Sequence, residues 1–249
     1  MKVLFISDIH LGARYMGDTR AHEARVVNFL RNEAHDADSL YLLGDILDYW
    51  FEYRNVVPRG FIRFFGELAA LSDAGVKITW MTGNHDIWLF DYLRDELGIE
   101  VVDAPYIVRK IGTRRFILAH GDRIGRTTAG FRFICSLFRN KVCQKLYSGL
   151  HPRITVPFAK AWSNSSRCGK GAIDDAERKA QIHTLVEDAD KLAKANPDID
   201  FIVMGHHHIP LDIPLPQSSV RLIVLGDWID NDTYAIFDGN DITVRRYQP

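Results

Sequence analysis

Short apolar runs alternate with helix-spaced apolar positions through the first hundred residues of the chain. Segments 2–7, 39–44 and 76–82 are brief and rich in Val, Ile, Leu and Tyr, so they read as buried strands. Segments 19–35 and 61–72 carry apolar residues at helical spacing, with Pro58 near the start of the second. Segment 87–97 reads as a third helix stopped by Gly98. The β-α-β-α-β order predicts right-handed crossovers and a sheet flanked by helices.

The second half is patterned differently. Segments 106–110 and 115–119 read as a hairpin around Gly112-Thr113. A helical stretch over 129–150 and a broken one over 155–165 follow. A long helix over 172–195 ends before Asn196-Pro197. Strands return at 201–204, 221–225, 234–237 and 242–247, with Gly239-Asn240 as a turn. The expectation is a single α/β domain over residues 1–249, with a helical insertion at about 123–172 between two of its strands.

Composition narrows this little. The chain has 249 residues, 47% hydrophobic and 25% charged, which is ordinary for a globular domain and excludes collagen-like, disordered and disulfide-scaffold classes. No apolar run approaches the ~20 residues of a membrane-spanning helix. The opening apolar run meets Ser7 and Asp8 too soon for a signal peptide. Cys135, Cys143 and Cys168 in a chain this long suggest reduced thiols and a cytoplasmic address.

Charge changes the picture more. The formal net charge of -1 hides a segregation: between Arg123 and Ile173 there are ten Lys or Arg and no Asp or Glu. The rest of the chain then carries 21 basic residues (31 less ten) against 32 acidic ones. An anionic partner at one face would fit that asymmetry.

The candidate chemistry lies at the strand ends. Five predicted strands run into Asp8-Ile9-His10, Asp45, Asn84-His85-Asp86, His120 and His206-His207-His208. In open α/β sheets ligands bind at the carboxyl ends of strands, so these residues can converge. Asp8 and His10 are two apart, as are His206 and His208, so each pair can point one way while His207 faces elsewhere. Carboxylate, amide and imidazole ligands without thiolate suit Mn²⁺, Fe or Zn²⁺. Asp8, His10, Asp45, Asn84, His120, His206 and His208 are too many for one ion and suit two that share a carboxylate, for which Asp45 is the natural bridge. Two metals ~3.5–4 Å apart clamp a phosphoryl group and lower the pKa of a bound water from 15.7 toward ~7. Glycines before Asp45, Asn84 and His206 allow close backbone approach. Taken singly, an Asp after a strand is usually a cap or turn former. A lone His is usually a hydrogen-bonded surface residue, the reading given to His22, His35, His183 and His207. Five strand ends carrying one pattern make chance the poorer account.

Asp-x-His, Gly-Asp, Gly-Asn-His-Asp, a strand-end His-Gly-Asp and Gly-His-x-His, in this order, resemble the calcineurin-like metallophosphoesterase superfamily. The resemblance implies a four-layer α-β-β-α sandwich with a dinuclear centre. Asp8, His10, Asp45 and His208 would hold one ion, and Asp45, Asn84, His120 and His206 the other. His85 would stabilise charge on the phosphoryl group or protonate the leaving oxygen, with Asp86 orienting it. Asn84 and His85 would also face the substrate.

Within the superfamily, Leu43-Gly44-Asp45-Ile46-Leu47-Asp48-Tyr49-Trp50, His120-Gly121-Asp122 before a long insertion and Leu225-Gly226-Asp227-Trp228 look most like UDP-2,3-diacylglucosamine pyrophosphohydrolases of lipid A biosynthesis. That resemblance implies cleavage to UMP and 2,3-diacylglucosamine 1-phosphate, usually with Mn²⁺, under a helical lid that holds two acyl chains. It also implies peripheral association with the inner membrane. One departure is His85, where those enzymes carry Arg and the wider superfamily carries His.

Phe131, Ile134, Phe138, Val142, Leu146 and Leu150 fall on one helical face with Arg132, Arg139, Lys141 and Lys145 interleaved. An acyl-chain pocket with a basic rim would read this way, and so would a helix on an anionic membrane surface or a lid helix packed on the core. Ser166, Arg167 and Lys170 resemble the polar segment that contacts substrate in the family. Another phosphodiester, nucleotide or nucleic-acid substrate is the alternative, as is a non-catalytic scaffold. The continuous apolar face argues against nucleic acid, and the filled ligand positions against a scaffold.

Overall fold

The computed structural model describes residues 1–125, 128–168 and 175–248, with side chains omitted at 14, 160 and 162–168. The first sheet is built from β1 (Val3–Ile6), β2 (Ser39–Leu43), β3 (Lys77–Met81) and β4 (Glu100–Val102), all parallel. Its other edge is β10 (Thr233–Phe237) and β11 (Ile242–Arg246), antiparallel, so that β10 lies beside β1 with Val3 opposite Phe237. The second sheet runs in the order β5 (Ile107–Ile111), β6 (Arg114–Ala119), β7 (Phe201–Met204), β9 (Arg221–Val224) and β8 (Leu211–Pro214). Its three inner strands are parallel.

Burial separates the layers. Val3, Phe5, Leu43 and Met81 of the first sheet meet Phe116, Leu118, Val203 and Ile223 of the second in one apolar layer. The opposite face of the first sheet packs on α1 (Thr19–Phe29) and α2 (Ile62–Asp73) through Leu4, Leu40, Val26, Phe29, Phe64 and Leu68. The outer face of the second packs on α7 (Asp175–Ala195) through Ile202, Leu222, Leu185 and Ala189. The expected four-layer α-β-β-α sandwich is what forms: alternate residues of each strand serve opposite faces, and both faces are apolar.

Several elements differ from expectation. Helix α3 spans Tyr92–Leu97 only, and residues 87–91 form a loop bridged to Phe51 through Trp88. The reason is Glu52, whose Oε2 accepts the amides of Phe90, Asp91 and Tyr92 at 2.5, 2.9 and 3.2 Å and so marks the helix start. The expected 129–150 helix is two, α4 (Ala129–Arg139) and α5 (Lys141–Ser148). Asn140 breaks it at ψ 120° and caps α5, accepting the amides of Val142 and Cys143 at 2.9 and 3.2 Å. The broken stretch expected over 155–165 is instead continuous α6 (Pro152–Cys168), where Pro157 removes only the bond to the carbonyl of Arg153, an exposed residue. The first helix passes into a π-turn at Leu30–Ala34. β4 and β8 were not expected.

Candidate metal centre

Five of the seven expected ligands sit in left-handed backbone: Asp8, His10, Asp45, His206 and His208, with φ between 52° and 69°. The chain leaves β1, β2 and β7 through tight turns, and these turns aim the side chains inward from the strand ends. The glycine expectation holds for the same reason: a Cβ on Gly44 would lie 2.5 Å from His120 Nδ1, and one on Gly83 would overlap the Asp45 carboxylate.

Asp8, His10 and His208 offer ligand atoms within 4.8 Å of one another, and so do Asp45, His120 and His206. Asp45 Oδ2 lies 3.7 Å from His10 Nε2 and 3.4 Å from His120 Nε2, between the two groups. Asn84 Oδ1 is 3.3 Å from His120 Nε2. Asp8 Oδ1 is buried without a hydrogen-bond partner among the described residues, an atom left for a cation. The oxygen and imidazole donors fit divalent metal.

The ring nitrogens that face away from these groups are held. His208 Nδ1 meets Asp227 Oδ2 at 3.0 Å, His120 Nδ1 donates to Leu43 O at 2.9 Å, and His10 Nδ1 lies 3.6 Å from Asp48 Oδ1. Such partners fix the tautomer and leave Nε2 for the metal. Neither Asp48 nor Asp227 was assigned a role from sequence, although both lie inside recognised motifs.

Charge is arranged to match. Burial opposes ionisation of Asp8 and Asp45, but His208 and His10 at the first, and His120, His85 and His10 at the second, hold both carboxyls well below the usual range. Burial also opposes the His120 cation, yet Asp45 and Asp8 raise it well above its ordinary value. Burial, aided by His120, pushes His206 well down.

His85 sits beside this centre, its ring 4.9 Å from that of His10. Its Nδ1 is 3.1 Å from the carbonyl of Asp48 and 3.6 Å from that residue's carboxylate. The expected orienting role of Asp86 is corrected here. Its oxygens accept the amides of Asp45, Ile46 and Gly83 at 3.2, 2.9 and 2.7 Å and the Trp80 indole at 3.1 Å. It ties the Asp45 turn to the Gly83–Asn84 turn, and Asp48 is the residue against the His85 ring. Burial, then Asp45, pushes the Asp86 carboxyl up to about 6.

His207 stays outside both ligand groups, as expected, and burial pushes it down to about 4. His22, expected on the surface, is buried against Ile9 O at 2.8 Å. Ser166 and Arg167 are described as backbone within α6, and Lys170 lies outside the described residues.

Helix α4 lies over the centre, with the Phe131 ring 6.5 Å from His206 and Arg139 Nη2 3.3 Å from Gly83 O. Arg139 also reaches Asp103 and Asp122, and Arg123 reaches Asp103, so part of the charge segregation is neutralised within the protein. Beside the centre, Trp88, Leu137, Phe138, Leu146, Tyr147 and Leu150 line an apolar cavity of about 460 Å³. Tyr147 stacks on Trp88 at 5.2 Å, and Trp88 Nε1 donates to Phe138 O at 2.9 Å.

Comparison with known proteins agrees with this geometry. The calcineurin-like phosphoesterase family model matches residues 1–210. A UDP-2,3-diacylglucosamine hydrolase of Porphyromonas gingivalis is 39% identical over 254 aligned positions, covering 98% of this chain and 96% of the relative. One from Aeromonas hydrophila is 30% identical, covering 95% and 94%. One from Yersinia pseudotuberculosis is 27% identical, covering 92% and 91%.

Proposed function

Because the chain belongs to the calcineurin-like phosphoesterase family, we propose that it is a two-metal hydrolase that splits the pyrophosphate of UDP-2,3-diacylglucosamine into UMP and 2,3-diacylglucosamine 1-phosphate. The observation that carries the substrate is the near end-to-end match to relatives bearing that name, insertion included. The apolar cavity between Trp88 and the insertion helices supports it: an acyl chain needs such a lining and a simple nucleotide does not.

Asp8, His10, Asp45 and His208 would hold one ion, and Asp45, Asn84, His120 and His206 the other, with Mn²⁺ as the metal. When bound, two such ions supply Lewis acidity to the phosphoryl group and acidify the attacking water. The protein's residues do the rest. With Nδ1 held by the Asp48 carbonyl, His85 presents Nε2 to the departing oxygen. Helices α4 and α5 act as a lid that excludes water and seats the acyl chains, while Ser166, Arg167 and Lys170 contact the polar part of the substrate.

The same insertion supports peripheral attachment to an anionic membrane. Val142, Leu146, Ile154 and Phe158 are 67%, 70%, 68% and 64% exposed. Lys141, Lys145 and Arg153 beside them pair with no carboxylate among the described residues. No described helix is long and apolar enough to cross a membrane.

The decisive experiment is release of UMP from UDP-2,3-diacylglucosamine by Mn²⁺-loaded protein, abolished by a chelator. Intact lipid alongside rapid cleavage of a simple diester would defeat the substrate assignment. Co-sedimentation with anionic vesicles, weakened by V142D and L146D, tests the attachment.

A further inference from the structure

Behind the Asp8–His10 turn, α1 carries two residues that the reaction does not use. His22 Nε2 lies 2.8 Å from the carbonyl of Ile9, the residue between the two ligands. A carbonyl only accepts, so Nε2 bears the proton and Nδ1 is the acceptor. That acceptor receives Arg25 Nη2 at 3.0 Å, one helical turn on. The same nitrogen reaches Trp228 O at 2.8 Å and Asp232 Oδ1 at 3.2 Å. Trp228 N in turn donates to Asp8 O at 3.1 Å. Asp227 holds the His208 ring, and its Oδ1 gathers the amides of Ile229, Asp230 and Asn231 at 3.1, 2.9 and 3.1 Å. One turn of α1 therefore grips the turn that carries Asp8 and His10 and the loop whose Asp227 holds the His208 ring.

The other ligand group is supported elsewhere. Asp86 gathers the Asp45 and Gly83 turns, and Leu43 O holds His120. None of these bonds involves residues 8–10 or 227–232. The halves are tied through the ligand turns themselves: His206 N donates to Asp8 Oδ2 at 2.8 Å, Asp8 N to Gly44 O at 3.0 Å and His10 N to Asp45 O at 2.9 Å. Asp8 and His10 both sit at positive φ, and a strained turn persists only where its surroundings over-determine it.

We propose that His22 and Arg25 are positioning residues for the Asp8–His10–His208 ion, whereas Asp86, behind the shared Asp45, positions both ions. The proposal rests on the two-ion reading above. Selective support means that the first ion can be lost while the second stays, through residues that touch neither.

Calorimetric Mn²⁺ titration of metal-free protein tests this in two backgrounds: His120→Ala, which keeps the Asp8 site, and His208→Ala, which keeps the Asp45 site. His22→Phe is expected to weaken binding about 10–100-fold in the first background and leave the second unchanged. His22→Gln, which can again donate to Ile9 O, is expected to recover most of the loss. Asp86→Asn, behind the shared Asp45, is expected to weaken binding in both backgrounds. Arg25→Met acts at the outer end of the brace and carries the test if His22→Phe does not fold. Equal loss in both backgrounds, or none in either, overturns the brace. If the unaltered protein binds no pair of ions, the two-ion reading falls and takes the brace with it. Two ions bound indifferently to both His22→Phe and Arg25→Met overturn the brace alone.

Discussion

Asp and His are among the non-glycine residues that best tolerate positive φ, and they are also the residues a hard divalent ion needs. At Asp8, His10, Asp45, His206 and His208 one choice meets both demands. Asp45→Ala is therefore expected to abolish turnover and metal content together, since it removes the shared carboxylate; metal analysis beside an activity assay checks it. Asp86→Ala strands four buried N–H donors and should destabilise by about 3 kcal/mol or more, read from the urea midpoint. Burial, with Arg25 and His10 adding to it, depresses the His22 pKa below 6.5 despite the Ile9 carbonyl. The folded state then resists a proton that the unfolded chain accepts. Stability from this residue is complete above pH 6.5 and falls as pH drops toward the depressed value, and urea melts at pH 7 and 5.5 should show a smaller loss in His22→Phe. The candidate ligands that converge were legible in sequence because type, spacing and strand end coincide. Asp48 and Asp227 were not, since only the turn geometry brings a carboxylate behind a ring. His22 left a weaker signal: it shares the buried face of α1 with Val26 and Phe29, four and seven positions on.

Among elements, the insertion departs most from its periodicity. Six apolar positions at helical spacing suggested one long face, but Asn140 divides it, so that Phe138 packs on Trp88 while Val142 is left exposed. Removing the cap in Asn140→Ala should cost ~1 kcal/mol in the thermal or urea transition. A joint matters for function because the tyrosine cluster on its far side fastens the insertion to the body. Tyr147 Oη meets Tyr49 Oη at 3.2 Å and donates to Thr155 O at 3.3 Å, and Tyr53 bonds Thr155 Oγ1. Tyr147→Phe should lose about 1 kcal/mol of stability and raise KM for the lipid substrate more than for a chromogenic diester, in parallel steady-state assays. β8 escaped notice because it is a four-residue edge strand containing Pro214, where alternation has too little length to register. The start of α3 escaped because Glu52, about forty residues away in sequence, supplies its cap.

At the scale of the molecule, the centre straddles the two sheets. Asp8, Asp45 and Asn84 leave strands of the first, and His120 and His206 leave strands of the second. Bound metal thus fastens one sheet to the other, and ligand linkage predicts about 2.7 kcal/mol of added stability at a concentration a hundred times Kd. Chelation should lower Tm by roughly 5–10 °C in a scanning calorimeter. The sandwich was readable only through the resemblance, because apolar runs identify strands without saying which sheet receives them. The pairing of β1 with β10 carries a consequence for biosynthesis. During synthesis β1 waits for a neighbour far downstream, with Val3 opposite Phe237, and the loop that steadies Asp8 and His208 arrives just before that neighbour. A nascent chain gains the strand beside β1 only once β10 has been made. A chain that lacks β10 would keep all seven candidate ligands and lose the strand that braces the first of them from behind.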